Sequence, residues 1–140
     1  MIVLDVNVLV AAHMAAHAHH EVAQRFLKQA LTDELVLVPD AVWSGFLRIV
    51  TNPRIFAEPA SLERATEFVE AVVAAPRYRD APGLPNGLGP FLEMLQSASA
   101  TAALVPDAYI AAFARVHGCS VATFDRDFRR FDGVRLIELA

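Results

Sequence analysis

Met1-Ile2-Val3-Leu4-Asp5 opens the chain as an apolar, β-branched run that stops on an acid. Three further runs share its character: Leu35 to Val38, Ser120 to Phe124 and Val134 to Leu139. Short continuous apolar runs of this kind suit strands covered on both faces, as in a parallel sheet under helices. The intervening segments supply the cover. Residues 19 to 31 set Val22, Ala23, Phe26, Leu27, Ala30 and Leu31 on one helical face. Asp40 is expected to cap a helix carrying Ala41, Val42, Phe46, Leu47 and Val50 that ends near Pro53. Ser61 is expected to cap a third, with Leu62, Ala65, Phe68, Val69 and Val72 inward. A fourth helix is expected over residues 91 to 103, and a fifth from Asp107 to His117, closed by Gly118. Pro76 to Pro90 holds four prolines and three glycines and reads as a loop. The pattern predicts an α/β fold with a mainly parallel sheet.

The chain has 140 residues, the length of one domain, so a single unit over 1–140 is expected. Apolar residues make up 55% and charged residues 20%, which excludes disorder and collagen-like structure. Mean hydropathy is +0.38, yet no stretch approaches the roughly 18 apolar residues of a membrane span. The apolar surplus points to a subunit interface beside the core. The first residues have no basic leader and carry an acid in their apolar run, which fits a cytoplasmic protein rather than a signal peptide. Cys119 is the sole cysteine and reads as a small buried residue before a strand. Net charge is −4, with 12 basic against 16 acidic residues, which by itself does not favour a nucleic-acid partner.

Four acids sit against the grain. Asp5 ends its strand, with Asn7 two residues on, inside a stretch (Val6, Val8, Leu9, Val10) that should be buried. A buried carboxylate must be paired, bound to a metal or spent on capping the next turn. Asp107 follows Pro106 at the start of its helix, where an N-cap role and the helix dipole would hold its pKa down. Asp125 and Asp127 follow the strand that ends at Thr123 and Phe124. Ligands of open α/β sheets bind beyond the carboxyl ends of strands, so Asp5 and Asp125 share that edge if their strands are parallel. The spacing leaves open whether the helix from Asp107 starts there too. Acids that did converge would need a cation, and hard oxygen donors suit Mg²⁺ or Mn²⁺. His13, His17, His19 and His20 have the spacing of a Zn²⁺ site, but no acid or cysteine completes a set and the structural reading is preferred. A phosphoaspartyl enzyme would need a lysine at a later strand end, and the sole lysine, Lys28, lies on the first long helix.

Asp5-Val6-Asn7-Val8-Leu9, then Phe46-Leu47-Arg48 with Thr51-Asn52-Pro53-Arg54, then Pro106-Asp107-Ala108, then Thr123-Phe124-Asp125-Arg126-Asp127-Phe128 form an ordered set across nearly the whole chain. That set resembles the PIN-domain ribonucleases, and in particular the VapC toxins of bacterial VapBC toxin–antitoxin pairs, mycobacterial-type branch. The resemblance implies a PIN-like fold, with a four- to five-stranded mainly parallel sheet flanked by helices and the start of the Asp107 helix beside Asp5. It implies Mg²⁺- or Mn²⁺-dependent endoribonuclease activity on RNA such as tRNA or rRNA, inhibition of translation and growth, a VapB-like antitoxin partner and a homodimer. Asp5, Asp107 and Asp125 would be the catalytic metal ligands, Asp127 a further one, and Asn7 and Thr123 their hydrogen-bonding supports. Gly45 stands about where the family commonly carries a glutamate, which leaves a catalytically weak or inactive RNA-binding or interaction module as the alternative. Setting the four aspartates aside as metal-bound leaves 12 basic against 12 acidic residues, and all the basic ones but Lys28 are arginine. Arg48, Arg54, Arg126, Arg129 and Arg130 are then candidate RNA contacts.

Overall fold

The computed structural model describes residues 1–139. Its strands are β1 (Ile2–Leu4), β2 (Val36–Leu37), β3 (Tyr78–Arg79), β4 (Ser120–Thr123) and β5 (Arg135–Glu138). They form one five-stranded sheet in the order β3-β2-β1-β4-β5, parallel at every pairing. Six helices flank it: α1 (Val6–His13), α2 (His20–Asp33), α3 (Asp40–Val50), α4 (Leu62–Val73), α5 (Gly89–Ser97) and α6 (Leu104–His117), with a 3₁₀ turn over Arg126–Arg130. The α/β reading holds.

From β1 the chain first winds to one side, through β2 and β3, and returns to place β4 and β5 on the other. The gap between β1 and β4 at their carboxyl ends is therefore the switch point where such sheets bind ligands. Val3, Leu4, Val121 and Ala122 are fully buried there, as expected for strands covered on both faces. α6 packs on this centre, and its Ala108, Ala111, Ala112 and Ala114 have no exposed surface. Small side chains let a helix lie close to a sheet. Because α6 turns directly into β4, it runs back from the carboxyl edge to the amino edge, and its first turn stands at the same edge as Asp5.

Several expectations are corrected. The stretch after Asp5, expected to be buried, is helix α1, capped by Asp5, and Val6 at its start is only half-buried. Asp40 is the first residue of α3 and makes no cap bond; Pro39 precedes it. Ser61 does cap α4, accepting from the Arg64 amide at 3.2 Å. Leu62 and Val22, expected inward, are 66% and 39% exposed. α5 stops at Ser97, six residues early, and the connection to α6 puts Ser99 and Ala102 at positive φ. α6 begins at Leu104, three residues before Asp107, with Pro106 in a first turn that has no use for its missing N–H. Gly118 ends α6 in the left-handed conformation, φ 68°. The expected loop from Pro76 contains β3, which pairs with β2 through Tyr78 and Arg79.

Candidate active site

Asp5 leaves β1 in extended conformation and caps α1: its Oδ1 accepts the Val6 amide at 2.7 Å. Its Oδ2 accepts the Thr123 hydroxyl, also at 2.7 Å. Both residues are buried, the only polar side chains in the described core that are. Thr123 Oγ1 in turn accepts the Asp125 amide at 2.9 Å and the Asn7 side-chain amide at 3.4 Å. Asn7 Oδ1 accepts the Phe124 amide at 3.3 Å. Asp125 Oδ1 accepts the Asp127 amide at 2.8 Å, which starts the 3₁₀ turn. Asn7 and Thr123 thus lock the end of β1 to the end of β4.

Asp107 is the half-buried fourth residue of α6. Its carboxyl is pushed up to about 7 by burial first and then by the negative charges of Asp5, Asp125 and Asp127, with Arg130 pulling weakly the other way. Asp5 is pushed up to about 6, chiefly by burial and also by Asp125, against the hydrogen bonds from Thr123, Val6 and Asn7. The expectation that the helix start would depress the Asp107 pKa is therefore wrong. Asp107 lies past the free amides of the first turn, and desolvation among other acids dominates. The long-range couplings place all four acids in one electrostatic neighbourhood.

Asp5 and Asp107 line a common groove of about 540 Å³ between α3, α5 and α6. Gly45 and Arg48 line it too. A Cβ on Gly45 would lie 3.6 Å from Val6 Cγ2, an ordinary contact, so the position faces the site with room for a side chain. Arg130 acts on Asp107 electrostatically. Arg129 is held by Glu138 in a two-pronged pair at 2.6 Å. Arg126 is exposed, and Arg54 sits in the turn after α3 away from the groove walls, its amide donating to Asn52. Sequence reasoning missed Phe91 and Tyr109, which form part of the groove wall. The Phe91 signal was hidden because the apolar stripe of α5 resembles any core-facing stripe. A larger concavity, about 770 Å³, lies by His13, Phe56 and Arg64 and includes none of these aspartates.

Among the described residues no three Asp, Glu, His or Cys side chains stand close enough to form a ready-made ligand set. The acids converge on one edge without closing into a cage. Their chemistry still fits a hard divalent cation: all donors are oxygens, two carboxyls are desolvated, and none of the four forms an ion pair among the described residues. An ion that keeps several waters and reaches some carboxylates through them suits so open a set. The histidines do not compete. His13 packs against Phe68 at 4.8 Å with its pKa lowered chiefly by burial, His19 stacks on Phe124 at 4.6 Å, and His20 meets the Ala11 carbonyl at 2.8 Å.

A wholly parallel sheet with acids at its central switch point defines an α/β protein with an acidic ligand-binding edge. The PIN domain family profile matches residues 2–134, and the chain belongs to the PIN-domain family, in its VapC ribonuclease branch. It is 41% identical over 138 residues to Ribonuclease VapC31 of Mycobacterium tuberculosis, covering 98% of this chain and 97% of that one. Identity to Ribonuclease VapC25 of the same species is also 41% over 138 residues, with the same coverage. Among solved structures, VapBC2 from Rickettsia felis, bound to a promoter DNA fragment, superposes with a TM-score of 0.71 at 15% identity over the full length of both chains. FitAcB from Neisseria gonorrhoeae does so at 0.67 and 21% identity, covering 99% of this chain and 97% of that one. At such identities these two likenesses speak for the fold. No helix among the described residues is long and apolar enough to cross a membrane.

Proposed function

We propose that the protein is a single-domain, Mg²⁺- or Mn²⁺-dependent endoribonuclease, the toxin of a toxin–antitoxin pair. In this reading it cuts tRNA or rRNA, stops translation and growth, works in the cytoplasm as a homodimer and is restrained by a VapB-like antitoxin. One observation carries the reading: Asp5 and Asp107, from opposite ends of the chain, line one groove and are both driven toward protonation by burial and by neighbouring acids. Buried acids that repel one another are a poor stability device but a good divalent-metal site. Similarity to proteins named ribonucleases supports the same chemistry.

Asp5, Asp107 and Asp125 would hold the ion, with Asp127 reaching it directly or through water. A bound Mg²⁺ supplies Lewis-acid polarisation of the phosphodiester, a more acidic water and charge stabilisation of the leaving oxygen. The chain's own residues position. The Val6 amide and Thr123 hydroxyl fix both Asp5 oxygens, so that carboxylate offers its remaining lone pairs in one orientation. Asn7 holds the Phe124 amide and so the turn that presents Asp125. Arg48, in the groove, and Arg130, beside Asp107, supply positive charge for the RNA backbone.

Purified protein freed of any partner should cut RNA with Mg²⁺ or Mn²⁺ and stop when EDTA is added. Asp5→Asn should abolish cutting without loss of fold; cutting that persists in EDTA, or in Asp5→Asn, would overturn the reading. A small reading frame just upstream that encodes a protein co-purifying with this one would identify the antitoxin. The second reading, a PIN fold that binds RNA with little or no cleavage, draws on Gly45 and on the open spacing of the acids. It predicts retained RNA binding with no metal-dependent product.

A further inference from the structure

We propose that Phe91 and Tyr109 form a platform on which an unpaired RNA base stacks beside the acid cluster; the inference deepens the nuclease reading and rests on it. Phe91 comes from the start of α5 and Tyr109 from α6, and the rings meet edge to face, centroids 5.5 Å apart and planes at 80°. Both remain only half-buried, unlike Phe46, Phe113 and Phe128, which have no exposed surface. An edge-to-face pair covers one ring's face and leaves other ring surface open to a third planar group. Both rings line the same groove as Asp5, Asp107 and Arg48, and the rest of that wall is mostly apolar, with Val42, Ile49, Val105 and Ile110. Apolar walls, an aromatic pair, one guanidinium and two acids match the parts of a nucleotide. The flat base meets the rings, a backbone phosphate meets Arg48, and the bond to be cut faces the acids. At about 540 Å³ the groove lies within the range of sites that enclose small organic ligands. Stacking on aromatic side chains is the usual way proteins hold splayed-out RNA bases and tolerates any base identity.

The test uses the full chain and 5′-fluorescein-labelled decauridylate, with binding read by fluorescence anisotropy and Ca²⁺ in place of Mg²⁺. Phe91→Leu and Tyr109→Leu keep apolar bulk but lose the ring, and each should raise Kd about tenfold, the scale of one stacked base. Tyr109→Phe should bind as the parent protein does. An oligonucleotide of the same length carrying abasic riboses should bind parent and Leu variants alike. The two residues lie on different helices, so a folding failure at one leaves the other to decide, with circular dichroism as the check. Leu variants that bind decauridylate like the parent would overturn the inference. If the parent nonetheless cuts RNA with Mg²⁺, the nuclease reading stands without the platform; if it neither binds nor cuts RNA, both fall. Leu variants with unchanged RNA binding that no longer co-purify with an antitoxin would reassign the face to protein docking, and so overturn the inference as well.

Discussion

Thr123 donates its hydroxyl proton to Asp5 Oδ2 at 2.7 Å across 118 positions of sequence, and Thr123 Oγ1 itself accepts the Asp125 amide at 2.9 Å. One hydroxyl therefore sets the relative position of two of the proposed metal ligands. Thr123→Val preserves shape but leaves a buried carboxylate oxygen and a backbone amide without this partner, at a cost of about 2 kcal/mol. It should also push the Asp5 carboxyl further up, since the Thr123 bond now pulls it down. Thr123→Ser restores the hydroxyl and should recover most of the metal-dependent activity. Urea unfolding and the Mg²⁺ dependence of cleavage check both; equal behaviour of the Val and Ser variants would contradict the role.

Raised carboxyls give the metal-free protein a distinctive pH response. Asp5 and Asp107 stand at about 6 and about 7 against an ordinary 3.8. At these two groups the folded state therefore holds more protons than the unfolded one across that interval, and the stability they contribute falls as pH rises from about 4 to about 7. Above the upper value the full charge-burial penalty is present. Thermal melts in EDTA should show Asp107→Asn gaining on the parent as pH is raised from 5 to 8, with the two converging near pH 4. Added Mg²⁺, which selects the charged form, should raise the parent's melting temperature at pH 8 far more than at pH 5. A parent-minus-variant difference that ignores pH would remove the electrostatic basis of the site.

Which parts of this arrangement could be read in the chain, and which could not, follows from how local each cause is. β1 and β4 announce themselves through apolar runs, and an acid follows each within two residues because the sheet edge is where a polar group regains a use. α4 begins at Ser61, which carries its own cap, and α6 ends at Gly118, which suits positive φ. The start of α6 has no such mark. Ala103 cannot cap, and Pro106 within the first turn mimics a helix start three residues too late. Two-residue β3 exists through pairing with β2, a tertiary cause that no window around Tyr78 contains. The site residues were legible as anomalies of polarity. Their meeting at one edge was not, since the direction of α6 relative to β1 is a property of the whole fold, and the motif resemblance supplied it. Leu62 and Val22 failed for the opposite reason: helical spacing marks a face wider than the strip that the core covers.

Gly45 offers a gain-of-function test. It lies inside α3 and lines the groove with Asp5 and Asp107, and a Cβ there meets Val6 Cγ2 at an ordinary 3.6 Å. Gly45→Glu should fit, and replacing an interior helical glycine favours α3 by up to about 1 kcal/mol. The new carboxylate adds an oxygen donor where the acids do not close into a cage. The Mg²⁺ concentration for half-maximal cleavage should drop about tenfold, the effect of about 1.4 kcal/mol of added metal affinity. Gly45→Gln, similar in shape without the charge, should not reproduce it. In EDTA at pH 8 the Glu variant should melt below the Gln variant, because another negative charge joins acids that already repel.

Two arginines with the same side chain should behave differently toward RNA. Arg48 lines the groove with no ion-pair partner among the described residues, whereas the Arg129 guanidinium is already held by Glu138 at 2.6 Å. A phosphate must displace Glu138 to use Arg129, so its contribution is offset by the pair it breaks. Arg48→Ala should weaken single-stranded RNA binding at every sequence. It should also flatten the plot of log affinity against log salt by about 0.7, the value of one phosphate contact on a single strand. Arg129→Ala should change that slope little, and Glu138→Gln, which frees Arg129, should steepen it. Titrations of fluorescein-labelled decauridylate between 50 and 200 mM salt, roughly the span over which such contacts are felt, read all three. Equal slopes for Arg48→Ala and the parent would place the RNA backbone away from α3, and with it the path of the substrate through the groove.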